Sequence, residues 1–103
     1  VNIPIDKFYI LCYNNYSKKQ RKELIKMFAT HAPYKLYDVY ELSYEYLDIV
    51  TTYEEAYNAA YDWIDETDGE CCICYSPATG KIDNDFELLI SQAIAKAMND
   101  YFN

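Results

Sequence analysis

The 103 residues are half apolar, the size and composition of one globular domain spanning residues 1–103, able to bury a core without disulfide or metal staples. Seventeen acidic side chains against nine basic ones leave a formal charge of −8, a field that disfavours direct contact with nucleic acid. No apolar run reaches the roughly 18 residues of a membrane span, and the two glycines, Gly69 and Gly80, are too far apart for a phosphate- or dinucleotide-cradling loop.

In chain order, the first element is Phe8–Tyr13, an unbroken apolar run of strand length that predicts a central strand. The chain opens strand-like rather than with a basic and then apolar leader, so no secretory signal is expected. Nor do Cys12, Cys71, Cys72 and Cys74 form a disulfide framework, and a reducing cytoplasm follows as the expected location. Asn14-Asn15-Tyr16 reads as a loop. Ser17 with Gln20 then makes a capping box, opening a helix to about Ala32 whose buried side is Leu24, Ile25, Met27 and Phe28. Pro33 ends it, because the residue before a proline is pushed out of the helical region. His31 falls in the last turn, where the helix dipole favours an imidazolium, a helix-end role rather than a catalytic one.

Lys35–Leu42, rich in Tyr and Val, predicts the next strand. Strand, helix and strand in this order predict a right-handed crossover with these two strands parallel. Ser43–Val50 fits either a helical turn followed by an edge strand or a strand paired with its predecessor. The clearest helix comes next: Tyr53, Ala56, Tyr57, Ala60, Tyr61 and Ile64 form an apolar stripe, Thr52 and Glu55 a capping box, and Gly69 a left-handed stop. Glu54, Asn58, Asp62, Asp65 and Glu66 lie on its opposite face. Glu70–Tyr75 predicts a strand with Cys72 and Cys74 on one side and Cys71, Ile73 and Tyr75 on the other. Ser76–Gly80 is a turn, and Lys81-Ile82 a short returning strand. Asp83 or Asp85 caps a last helix, with Phe86, Leu89, Ile90, Ala93, Ile94, Ala97 and Tyr101 on one face. The expected fold class is α/β, with α+β as the alternative: β-α-β-(β)-α-β-(β)-α, a sheet of three to five mixed strands covered by three helices.

Catalytic chemistry is poorly supplied. There is one histidine and no nucleophile elbow, so no enzyme activity, catalytic residue or cofactor is expected. The cysteines lack the paired spacing of zinc sites and read as structural thiols rather than metal ligands. Charge is instead the distinctive feature. Residues 1–35 carry seven cations against two carboxylates, a net +5, whereas residues 36–103 carry a net −13 and have no cation between Lys35 and Lys81. The eight tyrosines from Tyr34 to Tyr61 overlap this span. Tyrosine interleaved with carboxylates suits recognition of arginine, by ring stacking and charge-assisted hydrogen bonds. Glu54, Asp62 and Glu66 share a helix stripe whose four-residue step rises about 6 Å, against about 3.4 Å per phosphate along one DNA strand.

In size and charge the chain resembles phage- or plasmid-encoded DNA mimics, such as antirestriction and anti-CRISPR proteins. That resemblance implies a cytoplasmic inhibitor of a basic nucleic-acid-binding partner, a nuclease or effector complex. The surface expected to meet it carries Glu41, Tyr44, Glu45, Asp48, Glu54, Glu55, Asp62, Asp65 and Glu66. The alternative is a nucleotide- or nucleic-acid-binding module at the start of the first helix, using Asn14, Ser17, Lys18, Lys19, Arg21 and Lys22. Head-to-tail self-association between the +5 and −13 parts is a third expectation.

Overall fold

The protein is described by a computed structural model covering Ser17 and residues 29–103. Within these residues the organising strand is β1 (Tyr34–Asp38). Its alternation sends Tyr34, Leu36 and Asp38 to the buried side and Lys35 and Tyr37 to the other. Strand β2 (Glu45–Val50) pairs antiparallel along one side of β1, from Tyr34 opposite Val50 to Asp38 opposite Glu45. Strand β3 (Ile73–Pro77) pairs antiparallel along the other side, giving the order β2-β1-β3. Helix α1 (Tyr53–Glu66) carries the chain from β2 across to β3, and α2 (Asn84–Phe102) closes the described fold. The α/β class is as expected. The described sheet, however, is antiparallel throughout, and two helices accompany it. The expected strand Phe8–Tyr13, most of the first helix and their parallel crossover lie outside the described residues.

Several boundaries differ from expectation, each for a local reason. Residues 29–32 are not helical: the His31 backbone N–H donates to the Thr51 carbonyl at 2.7 Å, tying this segment to the start of α1. His31 is therefore not a helix-end residue; its ring stacks on Phe86 at 4.5 Å. Strand β1 stops at Asp38 rather than Leu42, because the Asp38 carboxylate accepts the Tyr40 N–H at 2.9 Å and turns the chain into a 3-10 turn at Tyr40–Leu42. Glu41 and Leu42 both take positive φ there, 54° and 64°. Of the two readings of Ser43–Val50, the strand paired with its predecessor is the one formed. Strand β3 starts later than Glu70 and runs through Pro77, which closes the ladder opposite Tyr34 and has no N–H to leave unpaired. As expected, Ile73 and Tyr75 pack on the core, while Cys74 stands opposite outward-facing Tyr37. Lys81 and Ile82 form no strand and are exposed.

The core is built where both helices lie against one face of the sheet. Tyr34, Leu36 and Val50 meet Ala56 of α1 and Phe86, Leu89, Ile90 and Ala93 of α2. Alanines 56, 60, 93 and 97 are fully buried and let the two helices approach closely. Each large side chain buried here contributes about 1.5–3 kcal/mol. Tyr57 adds a polar tie between the helices, its hydroxyl donating to Asp100 at 2.6 Å while Lys96 pairs with the same carboxylate at 3.0 Å.

Both helix starts follow their capping signals. Thr52 Oγ1 accepts the Glu55 N–H at 3.1 Å, and Glu55 returns its carboxylate chiefly to Thr51 (N–H at 2.7 Å), one residue ahead of the Thr52 that a standard box would use. Asp83, not Asp85, caps α2, accepting the Phe86 N–H at 3.0 Å and holding His31 Nδ1 at 3.0 Å. The Phe86 N–H, then His31, hold the Asp83 carboxyl below its usual value of 3.8. A carboxyl lowered by folding adds stability above its unfolded value, and that stability is lost as pH falls through the folded value. The stability advantage of the wild type over Asp83→Asn should therefore shrink as the pH drops below 3.8. Urea denaturation at a series of pH values checks this; an advantage independent of pH contradicts it.

Helix α1 ends in a Schellman motif: the Gly69 N–H reaches the Ile64 carbonyl at 2.8 Å and the Asp68 N–H reaches Asp65 at 3.2 Å. Asp68 is thus the first left-handed residue (φ 55°), with Gly69 following at φ 84°. A β-carbon on Gly69 would collide with the Phe102 ring. Gly69→Ala is expected to lower stability by about 1–3 kcal/mol, from left-handed strain and displacement of that ring. An unchanged urea midpoint would contradict this contact.

Candidate functional site

The outer side of α1 presents Glu54, Asn58, Asp62, Asp65 and Glu66, all exposed, as the helical period requires. Where this face meets the rim of β2 there is an open cleft of about 230 Å³. Tyr46, Leu47 and Asp48 form its strand wall; Ala59, Asp62, Trp63 and Glu66 form its helix wall. The helix residues fall at i, i+3, i+4 and i+7, a single stripe. The strand wall owes its shape to a register shift opposite Leu36 and Tyr37: Tyr37 faces Tyr46 and Leu36 faces Asp48, leaving Leu47 as the extra residue of a bulge. Leu47 packs toward the core. The floor is thus aliphatic and aromatic, and three carboxylates stand around it.

These carboxylates take part in no ion pair among the described residues, where the ion pairs are His31–Asp83 and Lys96–Asp100. Lys35 rests its ammonium over the Tyr44 and Tyr46 rings at 5.3 and 5.5 Å. The Tyr44 hydroxyl holds the Lys35 ammonium above its usual range, keeping it charged and engaged there. Asp62 and Glu66, one helical turn apart, repel each other by about 0.2–0.5 kcal/mol. A cation entering the cleft removes that cost.

Of the sequence-derived surface, the fold brings Asp48, Asp62 and Glu66 together. Asp65 is exposed on the same helix but does not line the cleft. Glu54 and Glu55 lie about two turns toward the helix start, roughly 12 Å from Asp62. Glu55 is also occupied there, its carboxyl held below the usual range by the Thr51 N–H and hydroxyl. Glu41 sits in the 3-10 turn, Glu45 at the beginning of β2, and Tyr44 stacks on Tyr37 at 5.2 Å. In the alternative anion-binding set, Asn14, Lys18, Lys19, Arg21 and Lys22 lie outside the described residues, and Ser17 is exposed.

Sequence reasoning did not single out Trp63 or Asp38. The Trp63 indole N–H donates to Asp38 Oδ2 at 2.7 Å. The other carboxylate oxygen of Asp38 accepts the N–H groups of Tyr40 and Cys72, both at 2.9 Å. The available signal was the alternation Tyr34, Leu36, Asp38, which places a carboxylate on the buried face of a strand, where it must find donors. Cys71, Cys72 and Cys74 are free thiols, and burial pushes Cys71 and Cys74 up, keeping them protonated and weakly nucleophilic. No group of three or more His, Cys, Asp or Glu side chains among the described residues is arranged to hold a metal. No described helix is long and apolar enough to cross a membrane. The chain matches no protein family, no curated protein and no solved structure.

Proposed function

We propose that the protein is a small cytoplasmic inhibitor that occupies the nucleic-acid-binding groove of a basic partner, in the manner of antirestriction and anti-CRISPR DNA mimics. One observation carries this reading: Asp48, Asp62 and Glu66 converge on an open cleft with an aromatic and aliphatic floor. That combination suits arginine. The alkyl stem lies on Leu47 and Ala59, the guanidinium plane is attracted to Trp63, and the carboxylates accept its hydrogen bonds. Arginine is also the residue with which nucleic-acid grooves hold phosphates. The neighbouring carboxylates Glu41, Glu45, Glu54 and Asp65 extend the negative field that steers a basic partner to the cleft.

Trp63 is the only tryptophan of the chain, so its fluorescence reports on the cleft directly. Titration with a short arginine homopeptide is expected to change Trp63 emission saturably, and the change should weaken as salt is raised. Emission that does not respond to the peptide at low salt argues against this site.

A further inference from the structure

Building on that reading, we infer that Asp38 is the positioning residue of the cleft and sets its preference for guanidinium over ammonium by fixing Trp63. Asp38 is only 6% exposed and does not line the cleft. Its role would be exerted through the 2.7 Å bond that Oδ2 accepts from the indole N–H. The carboxylate is itself held from two sides, since Oδ1 accepts from Tyr40 at the start of the 3-10 turn and from Cys72 ahead of β3. Next to it the Val39 N–H donates to the Cys72 carbonyl at 3.1 Å. The indole is therefore pinned to a point where β1, the turn and the approach to β3 meet.

The two kinds of cation use such a site differently. An ammonium is a compact point charge and responds mainly to the field of Asp48, Asp62 and Glu66. A guanidinium gains in addition from lying against an aromatic ring held at a fixed angle, an increment of roughly threefold to tenfold in affinity. A ring free to rotate loses that increment but leaves the field intact. Asn at position 38 can still accept both backbone N–H groups through its single oxygen. Its amide then faces the indole with a second donor, and the ring is released.

The test uses dye-labelled arginine and lysine homopeptides of equal length, with binding read by anisotropy, on the wild type, Asp38→Asn and Glu70→Gln. Glu70→Gln removes the same unit of charge from an exposed position outside the cleft and its flanking carboxylates, and serves as the control for net charge. Expected are a roughly threefold to tenfold preference for arginine in the wild type and in Glu70→Gln, and a preference near unity in Asp38→Asn with lysine binding kept at the Glu70→Gln level. Trp63 emission of peptide-free Asp38→Asn should also differ from the wild type. If Asp38→Asn keeps the arginine preference, the inference is overturned while the cleft reading stands. If the wild type binds neither peptide, the cleft reading falls first. Should Asp38→Asn not fold, indole N–H exchange in the wild type decides: slow exchange supports the anchored ring, and exchange at the rate of a solvent-exposed indole overturns it.

Discussion

Replacing Asp48, Asp62 and Glu66 together by Lys is expected to weaken binding of the arginine homopeptide, and of the natural partner, by about a hundredfold or more. Like charges brought face to face in an interface cost several kcal/mol, and roughly 3 kcal/mol already corresponds to that factor. The fold should survive, because all three side chains are exposed and their replacement opens no cavity. Their only hydrogen bond among the described residues is local, Asp48 accepting the N–H of adjacent Ile49 at 2.8 Å. Surface changes of this kind usually alter stability by less than about 0.5 kcal/mol each, and the Asp62–Glu66 repulsion is only exchanged for a similar one between the two new ammonium groups. Circular dichroism and a urea midpoint close to wild type, together with lost peptide binding, are the expected pair of results. Retained affinity in the folded variant would move the binding surface away from the cleft.

The largest loss of stability is expected from Phe86→Ala, about 3–5 kcal/mol. The ring is fully buried, lies parallel to His31 at 4.5 Å and meets Tyr34 edge-on at 5.5 Å. It joins three parts of the chain: the segment before β1, β1 itself and the first turn of α2. Around it, Tyr34 donates its hydroxyl to Glu87 at 2.7 Å and accepts the Asp83 N–H at 2.9 Å. Removing the ring leaves a cavity beneath this hydrogen-bonded collar, which limits how far the site can collapse. Urea denaturation reads the loss directly, and a change under about 1 kcal/mol would mean that the surroundings close over the gap. Because Phe86 does not line the cleft, the folded fraction of Phe86→Ala should bind the arginine peptide as the wild type does. Stability and recognition are thereby separable in one pair of variants.

What was legible in the sequence is what depends on near neighbours. The Thr52 cap, the apolar stripe from Tyr53 to Ile64 and the Asp83 cap of α2 are all encoded within four residues, and each is formed. The end of β1 was not legible. It is decided by Asp38, whose acceptors are filled by Tyr40 nearby but also by Trp63 and Cys72, 25 and 34 residues away. The left-handed pair Glu41-Leu42 carries no glycine or asparagine to announce it. For the candidate site, the acidic stripe on α1 follows from helical spacing alone. The cleft does not, because its strand wall exists through a bulge at Leu47, and a bulge is a property of pairing register rather than of local preference.

The central claim, that this acidic cleft occupies a basic nucleic-acid groove, is tested most directly by affinity capture from a nuclease-treated bacterial lysate. Wild type and the triple Lys variant are compared side by side, and bound protein is challenged with duplex DNA. The expected result is a basic nucleic-acid-handling protein retained by the wild type, released by DNA and absent from the variant. Retention that ignores the DNA, or the same retention on the triple variant, would contradict it.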